Sequence, residues 1–436
     1  MLTDEHQNAC VHYVLQTLLA DTDADSDVMP LIYYGTPECA PVHAILCIIP
    51  SDFFSQYGKF ESLPRLPLES IDGTPLLYGK PVISWHGNLL CIHGDIVASA
   101  YFMLTGYEEM LDVNRDKHGR FTGQQSFALK AGILRRPIVD EYRILLMKWF
   151  NLAGLRIQDQ RKFNVVLSHD VDHLFKYGSW LQVARAIFRG LKSASISEPW
   201  RAIQVWLGHL KDPFDHFEWM AQLDQACIQR CSFEAKAIYY FMAGGLRPND
   251  LHYEIRSKEA LAVIALVKRY GALSGLHSSY ASADQPERLK SEKQQLEGLL
   301  QSPVILHRHH YLRWRGMGGI QCLESIGILQ DSSLAYADVI GYRAGTCRPF
   351  FGFNPFEFKQ SGVRIHPLSI MDGTLHNNRY LNLDYAQARK LCLDMIDKVK
   401  TYNGELVLLW HNNVFDEGYH RKLYPELLEH LVSLQP

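Results

Sequence analysis

Carboxylates and imidazoles crowd together in "NVVLSHDVDHL", residues 164–174, where His169, Asp170, Asp172 and His173 fall within five positions. Groups packed this closely repel or titrate one another unless a metal, a proton or a substrate balances them. Three further stretches have the same texture: His277-Ser278-Ser279-Tyr280, His307-Arg308-His309-His310-Tyr311 and His411-Asn412-Asn413. In an extended segment Asp170 and Asp172 point to one side, with His169 and Val171 opposite. Two carboxylates on one face suit a division of labour, one holding a cation and the other working beside it. His277 supplies an imidazole, a usual ligand for zinc or a similar divalent ion. His411 can act as acid or base near neutral pH. The competing reading of each stretch is a polar turn after a buried strand.

Each stretch follows an apolar run: 163–167, "ALSGL", "VIL" and "LVLLW". Strand-like runs alternate with helical patterns, as in "FDHFEWMAQLDQACIQR", "SKEALAVIALVKRYG", "QPERLKSEKQQLEGLL" and "LDYAQARKLCLDMIDKVKTYNG". This alternation predicts an α/β fold around a parallel sheet, open or closed into a barrel. The C-terminal edge of such strands is where residues distant in sequence converge on one site. Four strand ends carrying His, Arg or Asp are hard to explain as four independent turns.

The 436 residues exceed one ordinary core, and the polar stretch "RIQDQRK" (156–162) is the best boundary between two domains, 1–155 and 160–436. The first reads as α+β, with an N-terminal amphipathic helix and short strands in "HAILCIIP", "PVISW" and "NLLCIHGDIVASAYFML", closing on the helix "VDEYRILLMKWFNLAG". Its acids and histidines are dispersed and suggest no chemistry. Hydrophobic residues at 47% and charged ones at 21% describe a globular chain. With 44 basic and 47 acidic residues and no block of one sign, no nucleic-acid face is expected. No run approaches a membrane span. The nine scattered cysteines read as free thiols. The acidic start has no basic segment leading into an apolar core, so a cytoplasmic location is expected.

The order and spacing of these stretches resemble the polysaccharide deacetylase family, carbohydrate esterase family 4, whose catalytic unit is the NodB homology domain; the likeness spans roughly 160–436. It implies a distorted, incomplete (β/α) barrel. In "SHDVD" it implies Asp170 as the base and Asp172 as a metal ligand. His277-Ser278 matches the second motif, Arg308 in "RHHY" the arginine that steadies the base, and "QDSS" at Asp331 the fourth motif. "LLWHNN" matches the last, with His411 as general acid beside Trp410. The family's second motif is HxxxH, but Ala281 stands where its second histidine would be. His310 is the candidate third ligand, with His309, His169 and His173 as rivals. Arg343 in "IGYRAGTCRPF", with Asp338 nearby, is a candidate to line a sugar pocket or brace Asp170, and equally a turn residue. A backbone N–H near Tyr311 is the expected oxyanion donor, and Asp331 a candidate carboxylate for holding the charge of His411. "YFMLTGYEEMLDVNRDKHGRF" and "RRPIVDEYRILL" resemble an uncharacterised domain that precedes such catalytic units in bacterial polysaccharide gene clusters.

The resemblance implies a divalent-metal hydrolase, with zinc as the expected ion, that removes N-acetyl groups from an amino-sugar glycan or its precursor. Ala281 keeps a metal-independent amide hydrolase of the same fold open. A catalytically silent glycan-binding protein is the reading from another class. The oligomeric state is not legible in the sequence.

Overall fold

The computed structural model describes residues 2–434, apart from 24, 194–195, 246–248, 251–252 and 417. The N-terminal helix α1 (Asp4–Leu19) starts at Thr3, whose hydroxyl accepts from the His6 amide, and buries Tyr13, Val14 and Leu18. Strands β1 (Ile32–Tyr34) and β2 (Leu46–Ile48) are followed by a hairpin, β3 (Glu69–Ile71) with β4 (Thr74–Leu76). Next come β5 (Gly79–His86) and β6 (Leu89–Gly94), completing a four-stranded sheet of order β1-β2-β6-β5. The run "NLLCIHGDIVASAYFML" departs from the strand expectation after Gly94. Asp95 accepts from the Ala98 amide and caps helix α2 (Ile96–Thr105). Every residue of α2 is buried, so its sequence has no polar face to mark a helical period. The short helices α3 (Glu108–Leu111) and α4 (Phe127–Lys130) lead to α5 (Ile138–Leu152).

The rest of the chain builds the α/β layer expected from the alternation. Among the described residues one sheet has nine strands in the order β12-β13-β11-β10-β9-β8-β7-β15-β14. They are β7 (Asn164–Val171), β8 (Glu234–Phe241), β9 (Leu273–Ser278), β10 (Leu306–His309), β11 (Gln330–Asp331), β12 (Phe350–Asn354), β13 (Lys359–Ile365), β14 (Ile370–Met371) and β15 (Glu405–Leu409). All neighbours pair in parallel except β12 with β13. The edges β12 and β14 do not pair with each other, so the sheet is a curled, incomplete barrel. Val166, Ile238, Tyr240, Leu306 and Val407 fill its interior. Helices α6 (Trp180–Ser193) and α7 (Ser197–Trp206) form an insertion after β7. Helices α8 (Phe217–Arg230), α9 (Lys258–Arg269), α10 (Pro286–Leu300), α11 (Ile320–Ser325), α12 (Asp372–His376), α13 (Tyr385–Thr401) and α14 (His420–Ser433) follow in chain order. Among the described residues no helix is long and apolar enough to cross a membrane.

The N-terminal region is continuous with this layer. One buried apolar cluster runs from Cys10 to Leu431. Polar ties reinforce it: the Tyr13 hydroxyl donates to the Phe351 carbonyl (2.8 Å), and Asp159 receives Arg143 and Arg348, each at 2.9 Å. Arg348 is buried and also pairs with Asp140. Burial disfavours the Asp159 charge, yet the two guanidiniums prevail and bring its pKa down to about 2.

Candidate functional site

Register explains why residues far apart in sequence meet. Strand β15 pairs directly with β7, Leu409 opposite Ser168, and the Trp410 amide donates to the Ser168 carbonyl. His411 therefore emerges level with Asp170. Arg308 lies opposite His277 across the β9–β10 pair. Together these strand ends line a cleft of about 260 Å³ that contains Asp170, Asp172, His173, His277, His310, Tyr311 and His411. A larger cavity of about 1090 Å³ lies at the opposite ends of the strands, beside Asn164, Glu234 and Glu405. It holds none of the acid–histidine set.

Among the described residues, Asp172, His277 and His310 form a group that could hold a metal ion, their ligand atoms all within 4.8 Å of one another. The His277 Nδ1 faces the Arg308 carbonyl at 3.0 Å, and a carbonyl can only accept, so Nδ1 carries the proton. The Nε2 of a neutral His277 then turns a lone pair toward Asp172 Oδ1, 3.1 Å away. Both buried atoms lack a hydrogen-bond partner, and positive charge between them, a proton or a cation, would balance the carboxylate. His310 repeats the pattern: Nδ1 pairs with Asp250 Oδ1 at 2.8 Å, and Nε2 faces Asp172 Oδ1 at 3.5 Å. Donors at about 2.0–2.1 Å from a tetrahedral ion sit roughly 3.3 Å from one another, close to both separations. Partners behind each imidazole fix the tautomer a metal ligand needs. Two imidazoles and one carboxylate, open to a cleft, fit a divalent ion of the zinc type.

The local electrostatics point the same way. Burial raises the Asp172 pKa, but His310, His277 and His411 around it win and hold it far below the usual carboxylate range. Burial lowers that of His277, and Asp170 and Asp172 reverse the shift, drawing positive charge to the spot.

Two further pairs flank this group. Arg308, fully buried, donates from Nη1 to Asp170 Oδ1 at 2.9 Å and to Ser168 Oγ at 3.0 Å. Its guanidinium lies 4.5 Å from the centre of the Tyr240 ring. The Asp170 carboxylate also lies 3.7 Å from His277 Nε2. His411 donates from Nδ1 to Asp372 Oδ1 (2.8 Å), and its amide donates to Asp372 Oδ2 (2.7 Å). Its Nε2 faces Asp172 Oδ2 at 3.6 Å. Burial opposes the charge on His411, but Asp372 dominates and its pKa is pushed up to about 10.

No curated protein matches the chain. The model of a family of unknown function, DUF7033, matches residues 3–154. A crystal structure described as a candidate polysaccharide deacetylase from Mycobacterium smegmatis is similar at 11% identity and a TM-score of 0.41, covering 63% of this chain and 85% of that one. The crystal structure of Puue allantoinase is similar at 12% identity and a TM-score of 0.40, covering 63% of this chain and 86% of that one.

Several residues named from sequence stand outside the cleft. Asp331 is fully buried; His307 Nδ1 donates to its Oδ2 at 2.6 Å, and the carboxylate that meets His411 is Asp372 instead. His307 Nε2 in turn accepts from Ser278 Oγ (2.9 Å), to which His309 Nδ1 donates (2.8 Å), a closed chain that ties β9, β10 and β11 together. His309 thus faces inward, and burial keeps its pKa well below the usual histidine value. His169 points away, pairing with Asp224 at 2.9 Å and the Trp410 carbonyl at 2.8 Å. Trp410 is fully buried against Tyr424 and has no surface to offer a ligand. Arg343 is bound to Glu109 at 2.8 Å and to the Ala335 carbonyl at 2.7 Å, bracing α3 rather than Asp170, while Asp338 accepts from the Gly123 amide.

Other residues enter unannounced. Arg120, from the N-terminal region, lines the cleft and donates to the Tyr311 carbonyl at 2.8 Å and to the Tyr380 hydroxyl at 3.1 Å. Asp116 holds it from behind at 2.7 Å. The His118 ring lies 4.7 Å from that of Tyr311. Tyr311 and Leu312 both have left-handed backbones (φ 60° and 50°), which side chains other than glycine adopt only under constraint.

Proposed function

We propose that the protein is a metal-dependent hydrolase that removes N-acetyl groups from an amino-sugar glycan or its precursor. The observation carrying this reading is the Asp172–His277–His310 group, three converging ligand groups suited to a cation, set between an arginine-braced aspartate and an aspartate-backed histidine. The substrate class rests on the resemblance of "SHDVD", "HSSY", "RHHY" and "LLWHNN" to the deacetylase motifs. His310 supplies the ligand that Ala281 cannot, which favours the metal-dependent reading over the metal-independent one.

A divalent ion bound there supplies Lewis acidity, lowering the pKa of a water and polarising a carbonyl oxygen. Asp170 takes the proton of the water that attacks the acetyl carbon, and Arg308 keeps its carboxylate aimed. The backbone N–H of Tyr311 offers a donor to the developing oxyanion. Arg120 restrains that turn by gripping the Tyr311 carbonyl. His411, charged because Asp372 stands behind it, gives its Nε2 proton to the leaving amine. Each acid or base contributes roughly 10²–10⁴ in rate.

The test is acetate release from N-acetylated amino-sugar oligosaccharides by wild type and Asp170→Asn. Release by wild type, with kcat lower by about 10²-fold or more in a variant that keeps its metal, supports the reading. Binding without release assigns the protein to the glycan-binding class, and loss of metal in Asp170→Asn makes that residue a ligand.

A further inference from the structure

The insertion after β7 inverts the usual order of a soluble helix pair. Helices α6 and α7 pack on each other through small or modest side chains, Val183, Ala186 and Ala202, beside Tyr177. Their largest apolar groups face out: Trp180 is 65% exposed, Phe188 69% and Leu191 78%. In α6 these three recur at helical spacing, with Ile187 and Leu181 widening the stripe. Arg185, Arg189 and Lys192 form a neighbouring strip one step around the same helix. Across α7 the pattern continues through Ile196, Trp200 and Leu207, all exposed.

Charge identifies the occupant. Between residues 176 and 215 the chain carries Lys176, Arg185, Arg189, Lys192, Arg201 and Lys211 against Glu198, Asp212 and Asp215, in a protein whose net charge is −3. Arg189 pairs with Glu198, Arg201 with Asp416 and Lys211 with Asp215, while Arg185 and Lys192, beside the apolar stripe, have no ion pair among the described residues. Tryptophan, phenylalanine and leucine on one face with arginine and lysine at its border is the composition of a helix lying in a lipid interface. We propose that the α6–α7 pair docks the protein on an anionic lipid bilayer, its apolar stripe entering the headgroup boundary and Arg185 and Lys192 meeting lipid phosphates. The docked face adjoins the cleft: His173 lines both the cleft and a groove of about 470 Å³ that Arg185 and Arg189 border at the foot of α6. The inference stands whether or not the cleft is a deacetylase.

The test is co-sedimentation of the full chain with vesicles of phosphatidylcholine alone and of phosphatidylcholine containing a quarter phosphatidylglycerol. Binding should be confined to, or strongly favour, the anionic vesicles. Phe188→Ser with Leu191→Ser should abolish it, while circular dichroism and Tm stay unchanged because both side chains are exposed. Arg185→Glu with Lys192→Glu should weaken it by roughly tenfold or more, since each cation near an anionic surface adds appreciably to binding. No binding to anionic vesicles, or binding that neither variant reduces, overturns the proposal. So does a concentration-dependent dimer in sedimentation velocity that the Phe188→Ser/Leu191→Ser variant dissolves, which would assign the face to a second copy of the chain.

Discussion

With His411 as the proposed general acid, its pairing with Asp372 makes the pH dependence of turnover a readout of one hydrogen bond. A general acid must be protonated, so activity falls as pH rises through its pKa. With Asp372 in place that value lies at about 10. Removing the carboxylate leaves burial opposed only by Asp172 and Asp170 and brings the imidazole down toward its ordinary value of about 6.5. Asp372→Asn should therefore move the alkaline limb of kcat to lower pH by more than about one unit. An unmoved limb would mean that His411 is not the group titrating. Asp372 escaped the sequence reading because its strand, β14, is two residues long and leaves no apolar run of strand length. The signal was there in miniature: "LSIMDG" is an apolar step ending in an acid, the same arrangement as "VVLSHD". Asp170, Asp172, His277, Arg308 and His411 were legible because each closes a run long enough to read as a strand.

At the scale of elements, the site depends on how closely β8, β9 and β10 approach. Gly275 in β9 makes room for the Tyr240 ring: a Cβ there would meet Tyr240 Cδ1 at 2.6 Å and Leu306 Cβ at 3.0 Å. The ring it would displace is the one beneath the Arg308 guanidinium. Gly275→Ala should cost about 1–3 kcal/mol by overpacking a filled interior. It should also lower turnover by unseating Arg308 from Asp170. Thermal unfolding together with kcat checks this; a Tm drop with unchanged kcat would detach the Tyr240–Arg308 stack from the chemistry. Strand–helix alternation after residue 160 was readable because each period is long and one-sided. Helix α2 was not, since complete burial removes the polar face that marks a helical period, leaving the Asp95 cap and the Gly106 stop as the cues.

At the scale of the whole molecule, residues 1–155 are bound to the remainder by a shared apolar cluster and by Asp159, and they send Arg120 into the cleft. The sequence shows no chemistry in this region because a single arginine in a loop carries no pattern until the fold brings it beside Tyr311. Residues 160–436 alone should fail to unfold cooperatively, because the cluster would be cut through and its apolar surface exposed. In the full chain, Arg120→Ala should keep the fold but lower kcat, since the left-handed Tyr311 turn loses its restraint. A 160–436 fragment with wild-type activity and a sharp unfolding transition would contradict this dependence. The claim on which the whole reading turns is that Asp172, His277 and His310 hold one divalent ion. Elemental analysis of protein purified without chelator tests it directly. The expected result is close to one ion per chain, zinc foremost, in wild type and none in Asp172→Ala. Metal-free wild type that still hydrolyses its amide substrate would contradict it.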